Sequence, residues 1–367
     1  MTSDRSLRVV VAPDSFKGSL SAVDVAECIA DGWRSVRPGD YLELIPQADG
    51  GEGTVDAVSG RHPDAIRHYV PDVTGPDGRI VVGEWLLLPD GTAVIELAQM
   101  SGLPLMRELD PGRATTYGLG QVIAAALDAG VRRIVIGLGG SASTDGGAGM
   151  LEALGAVITD ESGLLVQPGG LGLSMLDNLD LSGLRELPAE GVEVLTDTTA
   201  PLLGPNGAAA VFGAQKGASA AMIVDLADAL TRYADRLKHI DPTVPGAGAA
   251  GGTGFGLLAW GASLVSGAES IADLTGLSEV IAHADVVVTG EGRYDVTSGT
   301  GKLVGALLER CGRNGVRSVV IAGQLAATPP DIAVSLTETA GSVEEAMLNP
   351  RRWLVEAGMS CAARFSS

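Results

Sequence analysis

A chain of 367 residues is more than twice the roughly 150 that make one domain, so two domains are expected, each long enough to bury a core. Apolar residues make up 46% but aromatics only 4%, and 52 residues are glycine, which suits aliphatic α/β packing with tight turns and excludes a disordered chain or an aromatic-rich sandwich. The formal charge of −20 would repel nucleic-acid phosphates and anionic lipid, so neither nucleic acid nor membrane is expected as a partner, while a local basic pocket for a small anion stays open.

The chain begins "MTSDRSLRVVVAPD", an apolar run too short for a signal peptide, and has no 18-residue apolar stretch to span a bilayer. Three widely spaced cysteines, Cys28, Cys311 and Cys361, form no CxxC, which suggests neither a disulfide framework nor a structural zinc site and points to a reducing, cytoplasmic setting.

β-branched runs recur along the chain at 7–13, 41–46, 132–139, 192–196, 284–290 and 316–323, each leading into a glycine-rich loop and then helical periodicity. Strands alternating with helices predict parallel sheets with crossover helices. The first helix has Ser21 as its cap, Asp24 three residues on, and Val25, Ile29 and Trp33 on one face. Between about 66 and 100, "GPDG" and "PDG" separate extended runs without helix patterning, which reads as an antiparallel meander. The expected fold is therefore α/β with two domains. Residues 1–65 and 275–367 form a Rossmann-like parallel-sheet domain, and 66–274 a second α/β domain inserted into it. The small-residue segment "VPGAGAAGGTGFG" at 244–256 reads as a functional or tightly packed loop.

Four glycine-rich loops follow predicted strands, where open α/β sheets place ligands. "APDSFKGSLSA" offers Asp14 and Lys17 beside Gly18. "QADGGEGT" sets Asp49 and Glu52 around a Gly-Gly pair, as an acceptor for Mg²⁺ or a substrate hydroxyl would be presented. "GLGGSASTDGGAGM", 137–150, gathers backbone amides, three hydroxyls and Asp145, a donor density that suits a polyphosphate. "TGEGRYDVTSGTGK", 289–302, carries Glu291, Arg293, Asp295 and Lys302; both signs of charge suit a phosphate-and-magnesium site. Val296 and Leu303 stand where a Walker A loop needs Gly and Ser or Thr, so this is not one. No GxGxxG opens the first strand–turn–helix, which disfavours a nicotinamide-dependent oxidoreductase, and no GxSxG elbow is present. The four histidines, His62, His68, His239 and His283, lie outside these loops, so carboxylates are left as candidate bases.

Taken in order, "APDSFKGSLSA", "QADGGEGT", "ELAQMSGL", "ATTYGLG", "GLGGSASTDGGAGM", "PLLGPNGAAAVFGAQKGA", "GAGAAGGTGFG" and "VVVTGEGRYD" resemble the bacterial glycerate kinase family of the glycerate 2-kinase type over almost the whole chain. The resemblance implies two α/β domains and transfer of the γ-phosphoryl of ATP to D-glycerate in an interdomain cleft, with Mg²⁺ shielding the phosphates and 2-phosphoglycerate as product. It implies ATP phosphates on Gly139, Gly140, Ser141, Ser143, Asp145 and Gly146. Glycerate is expected near Asp14 and Lys17, both expected to be catalytic, with Lys302, Arg293 and Asp295 as substrate contacts. Asp197 is expected as the base and Asp49 and Glu291 as magnesium ligands. The chain departs from the family pattern in "LTDTTAPLLG", which keeps Asp197 among Thr196, Thr198 and Ala200, and at Thr297, Ser298 and Val304. These departures bear on substrate contacts more than on phosphoryl transfer. A 3-phosphoglycerate-forming or other hydroxy-acid kinase, a non-catalytic glycerate or nucleotide sensor, and a homo-oligomer all stay open at this point.

Overall fold

The computed structural model describes residues 5–298, 303–329 and 331–366. Among them the strands are, in chain order, β1 (Arg8–Val11), β2 (Tyr41–Leu44), β3 (Ile66–Thr74), β4 (Ile80–Leu87), β5 (Thr92–Glu96) and β6 (Arg133–Gly137). Then follow β7 (Val157–Thr159), β8 (Asn178–Asp180), β9 (Val192–Leu195), β10 (Ser263–Val265), β11 (Val286–Tyr294), β12 (Arg317–Leu325) and β13 (Ile332–Ser335). The chain divides into two compact units. One comprises Met1–Asp49, Asp56–Pro63 and Ala268–Ser367, the other Gly50–Val55 and Asp64–Gly267.

In the first unit five strands lie in the order β13-β12-β11-β1-β2, all parallel. The two faces of the sheet follow from the period-2 alternation of its β-branched strands. Val9, Val11, Val286 and Val288 pack with Ile29, Trp33 and Leu354, whereas Val10 and Val287 pack with Ile281, Leu307 and Cys311. Helices thus cover both faces, and Val25, Ile29 and Trp33 of the helix Ala22–Val36 are fully buried. Each such side chain contributes about 1.5–3 kcal/mol. The Asp24 amide donates to Ser21 Oγ at 3.1 Å and the Ser21 hydroxyl donates to Asp24 Oδ2 at 2.8 Å, so the cap forms as the sequence predicts. From the adjacent central strands β1 and β11 the chain winds outward in opposite directions, to β2 on one side and to β12 and β13 on the other. Loops at such a switch point leave a crevice beyond the strand ends.

In the second unit six strands lie in the order β10-β9-β6-β5-β4-β3. β3, β4 and β5 are antiparallel, the meander read from the sequence, while β5, β6, β9 and β10 are parallel. The C-terminal ends of these four strands therefore share one edge, from which the chain leads to Glu96, the 137–147 loop, Asp197 and Ser266. One aliphatic core, including Ile95, Leu119, Ile134, Met150, Leu230 and Phe255, fills the unit.

Two segments differ from their sequence reading. β11 does not end at Gly290: it pairs with β12 through Arg293 and Tyr294, so Glu291 and Arg293 lie on a strand and the loop begins at Asp295. Gly292 and Gly323 permit this by close approach, a Cβ on Gly323 meeting the Gly292 carbonyl at 2.4 Å. The segment 244–256 is packed as expected, but much of it is helical. The helix Ala249–Trp260 opens through three left-handed residues, Ala250, Gly251 and Gly252 (φ 53°, 68° and 91°).

Candidate active site

In the first unit, Asp14, Lys17 and Asp49 leave the ends of β1 and β2, and Glu291 stands on β11 beside β1. The Asp14 amide donates to the Gly290 carbonyl at 2.8 Å, which ties the β1 loop to β11. Lys17 Nζ reaches Asp49 Oδ2 at 3.5 Å, an exposed pair whose energetic contribution is small. Its chemical consequence is larger. Burial, followed by the charge of Asp49 and then of Glu291, pushes the Asp14 carboxyl up to about 7, against the opposing Ser15 amide and Lys17. Asp49 above all raises the Lys17 pKa, so that amine stays charged. Four of the expected residues thus form one electrostatic group, three carboxylates around one cation.

Arg293 and Asp295 lie farther along the same chain segment, 4.0 Å apart at their charged ends. Asp295 Oδ1 accepts from the Thr297 amide and hydroxyl at 2.8 and 2.7 Å, and Ser298 Oγ accepts from the Asp295 amide at 3.1 Å, so Asp295 shapes the turn after β11. Lys302 lies outside the described residues.

In the second unit, the 137–147 loop is held from three directions. Gly139 donates to the Gly50 carbonyl at 3.0 Å, and a Cβ on Gly139 would lie 2.2 Å from Gly51 Cα, so only glycine allows the two loops to meet. From below, the left-handed turn at 250–252 presses against Ser143 and Gly146, and the Gly146 amide donates to the Gly251 carbonyl at 3.1 Å. From within, Asp145 is completely buried. Its Oδ2 accepts from the Thr116 amide and hydroxyl, both at 2.8 Å, and from the Gly149 amide at 3.3 Å, while Oδ1 accepts from the Gly147 amide at 3.2 Å. Four protein donors on one carboxylate make Asp145 the anchor of the loop. Ser141 and Ser143 are buried beside it, Gly139 is half-buried, and Gly140 is open to solvent.

Sequence reasoning did not single out Lys216, Glu96 or Thr116. Lys216 sits under the loop, only 3% exposed, its Nζ donating to Ser141 Oγ at 2.7 Å and to the Ser143 carbonyl at 2.5 Å. Burial lowers its pKa to about 7, and Asp145 opposes that shift. Glu96, at the end of β5, is fully buried and accepts from the Gly53 and Val55 amides, fixing the Gly50–Val55 segment against the same sheet edge. The signal for both was the position of "ELAQMSGL" and "GAQKGA" beside glycine-rich turns. Asp197 lies exposed beyond β9, its Oδ1 accepting from the Gly267 amide at 2.9 Å and the Ser266 hydroxyl at 3.2 Å.

Each unit thus carries its own constellation, a carboxylate–lysine group in one and a hydroxyl- and amide-rich loop over a buried lysine in the other. Among the described residues, no three His, Cys, Asp or Glu side chains form a metal cage, and no helix is long and apolar enough to cross a membrane. Comparison with known proteins gives these constellations a context. Residues 9–366 match the model described as the glycerate kinase family. The chain is 46% identical over 306 residues to glycerate 2-kinase of Escherichia coli K12, covering 81% of this chain and 80% of that protein. It is 45% identical over 309 residues to glycerate kinase of Bacillus subtilis 168, covering 81% and 79%. The crystal structure of a Salmonella typhimurium LT2 protein provisionally described as glycerate kinase 2 superposes with a TM-score of 0.85 at 41% identity, over 98% of each chain.

Proposed function

The chain belongs to the glycerate kinase family and is a kinase; from that premise we propose that it transfers the γ-phosphoryl group of ATP to the 2-hydroxyl of D-glycerate, giving 2-phosphoglycerate, in the cytoplasm. The printed activity of the Escherichia coli relative, glycerate 2-kinase, supports the position of transfer. One observation carries the reading: a carboxylate and a cation, Asp14 and Lys17, share a single loop at the switch point of the parallel sheet. Glycerate bears its carboxylate and 2-hydroxyl on adjacent carbons, so a cation for the one and a proton acceptor for the other must stand close together.

In this assignment Lys17 holds the substrate carboxylate, with Arg293 and Lys302 as further cations and Asp295 shaping the turn that follows β11. Asp14 takes the hydroxyl proton. A base held near neutrality accepts a proton in the transition state and releases it to solvent afterwards. This gives Asp14 the role that the sequence reading gives Asp197. Asp197 keeps a supporting part through its hold on the Gly267 amide and Ser266 hydroxyl. ATP phosphates are assigned to the Gly140 amide and to Ser141 and Ser143, with Gly139 and Gly146 lining the loop through their bonds to the Gly50 and Gly251 carbonyls and Asp145 maintaining its shape.

The donor set of the first unit suits Mg²⁺. Asp49 and Glu291 concentrate negative charge that already drives Asp14 upward, and magnesium bound through one or two carboxylates plus phosphate oxygens needs no cage of protein ligands. Bound there, the ion would neutralise charge on the phosphates. Positioning and charge stabilisation are the main tasks of a phosphoryl-transfer enzyme, and these residues supply both.

A coupled assay for ADP release with D-glycerate and MgATP tests the proposal. Turnover that depends on glycerate supports it. Binding of both ligands without turnover would identify a sensor instead.

A further inference from the structure

Lys216 is the residue that the proposed reaction leaves without a task. A lysine that is 97% buried requires compensation, because desolvating an ammonium is costly. Among the described residues its partners are two neutral oxygens, Ser141 Oγ and the Ser143 carbonyl, with no carboxylate in hydrogen-bond contact. The charge that reaches it is that of Asp145, itself engaged by four other donors, with Glu152 behind Asp145 and pushed up to about 7 by burial and by that neighbour. The surroundings are also not saturated. Among the described residues, the buried hydroxyls of Ser143, Thr144 and Tyr233 have no hydrogen-bond partner. A site that buries an amine without a counter-ion, beneath a loop of donors whose Gly140 faces solvent, is complete only when an anion arrives.

We infer that Lys216 is a positioning residue that acts through Ser141: it gains a proton when a nucleotide phosphate binds the loop, and the resulting ammonium turns the Ser141 hydroxyl outward as a donor to that phosphate. The chemistry follows from donor counts. A neutral amine keeps a lone pair that can accept the Ser141 hydrogen, whereas an ammonium can only donate. Once charged, Lys216 occupies Ser141 Oγ as an acceptor and leaves the serine's one hydrogen for the ligand. The Ser143 carbonyl holds the amine in place in both states. No bond to phosphorus is made by either residue; one proton moves from solvent to Nζ as the anion binds.

This rests on the assignment of nucleotide phosphates to the 139–147 loop, so the test separates the two. Titration calorimetry of the full-length protein with MgADP, in two buffers of different ionisation enthalpy, measures protons taken up per nucleotide. Near pH 8 the amine is mostly neutral and MgADP carries no titrating proton, so uptake approaching roughly one proton per site is expected, declining toward pH 6 where Lys216 is already charged. Lys216→Met should abolish that uptake and weaken MgADP about 10- to 100-fold, the loss of a charge-assisted contact, while Ser141→Ala should weaken it about 3- to 10-fold. Retained uptake in Lys216→Met would assign the proton to Asp145 or Glu152 and overturn the inference. The wild-type measurement needs no variant to fold, and binding at pH 8 without uptake overturns it equally. Gly140→Asp places a carboxylate at the open part of the loop. If it weakens MgADP and Lys216→Met does not, the inference falls and the loop assignment stands; if Gly140→Asp leaves binding unchanged, both fall.

Discussion

Replacing Gly251 by alanine tests how the buried turn under the hydroxyl loop supports the proposed phosphate binding. Gly251 has φ 68°, and a Cβ there would lie 2.1 Å from the Ser143 carbonyl oxygen and 2.7 Å from Thr144 Cα. The left-handed backbone costs an L-residue about 1–2 kcal/mol. Overpacking against backbone that cannot rotate away adds about 1–3 kcal/mol. A matched control exists at Gly130, φ 75°, where a Cβ meets nothing within 4 Å. Both variants carry the backbone cost, and their difference isolates the clash. In chemical denaturation Gly251→Ala should therefore lose about 1–3 kcal/mol more than Gly130→Ala. The clash also pushes on the Ser143 carbonyl that holds Lys216, so KM for ATP should rise several-fold in Gly251→Ala while KM for glycerate stays near wild type, and Gly130→Ala should change neither. Equal stability loss in the two variants, or an equal rise in both KM values, would refute the reasoning.

Further outcomes follow from the same geometry. Asp14→Asn should lower kcat by about 10²- to 10⁴-fold, as expected on losing a general base, with a smaller effect from Asp197→Asn; steady-state kinetics in the reverse order would return the base to Asp197. Glu96→Ala strips the acceptor from the half-buried Gly53 and buried Val55 amides and should cost about 2–4 kcal/mol in a urea melt. The pKa of Lys216, about 7 when folded against 10.5 for the free side chain, means that the unfolded chain binds the extra proton between those values. Wild-type stability relative to Lys216→Met should accordingly rise as pH increases from 7 toward 10, measured by denaturation across that range.

The sequence displayed the elements whose signal is local. The β-branched runs became strands, Ser21 capped its helix, and "GPDG" and "PDG" turned the meander, because each depends on neighbours within a few residues. Glu291 and Arg293 read as loop residues because glycines flank them, yet pairing with β12 carries the strand past those glycines, a long-range effect that no window contains. "VPGAGAAGGTGFG" shows the same limit: its small residues announce close packing, but that they pack against Ser143 and Gly146 depends on segments some hundred residues apart. Among the site residues, the clustering of Asp14, Lys17 and Asp49 was legible from their positions after strands, and that of Glu291 from its place in the glycine-rich segment that continues β11. The sealing of Asp145 by Thr116 was not, since a buried carboxylate and a solvent-facing one look alike in a glycine-rich loop. Lys216 was the least visible, one lysine after a glutamine in a turn, and only its burial beneath Ser141 distinguishes it from a surface lysine.

The most direct test of the central claim is phosphorus NMR of the product formed from D-glycerate and MgATP. The account predicts a monoester resonance coupled to the single proton on carbon 2, that of 2-phosphoglycerate, growing in step with ADP. A monoester on the carbon-3 methylene, or ADP formed at the same rate without glycerate, would contradict it.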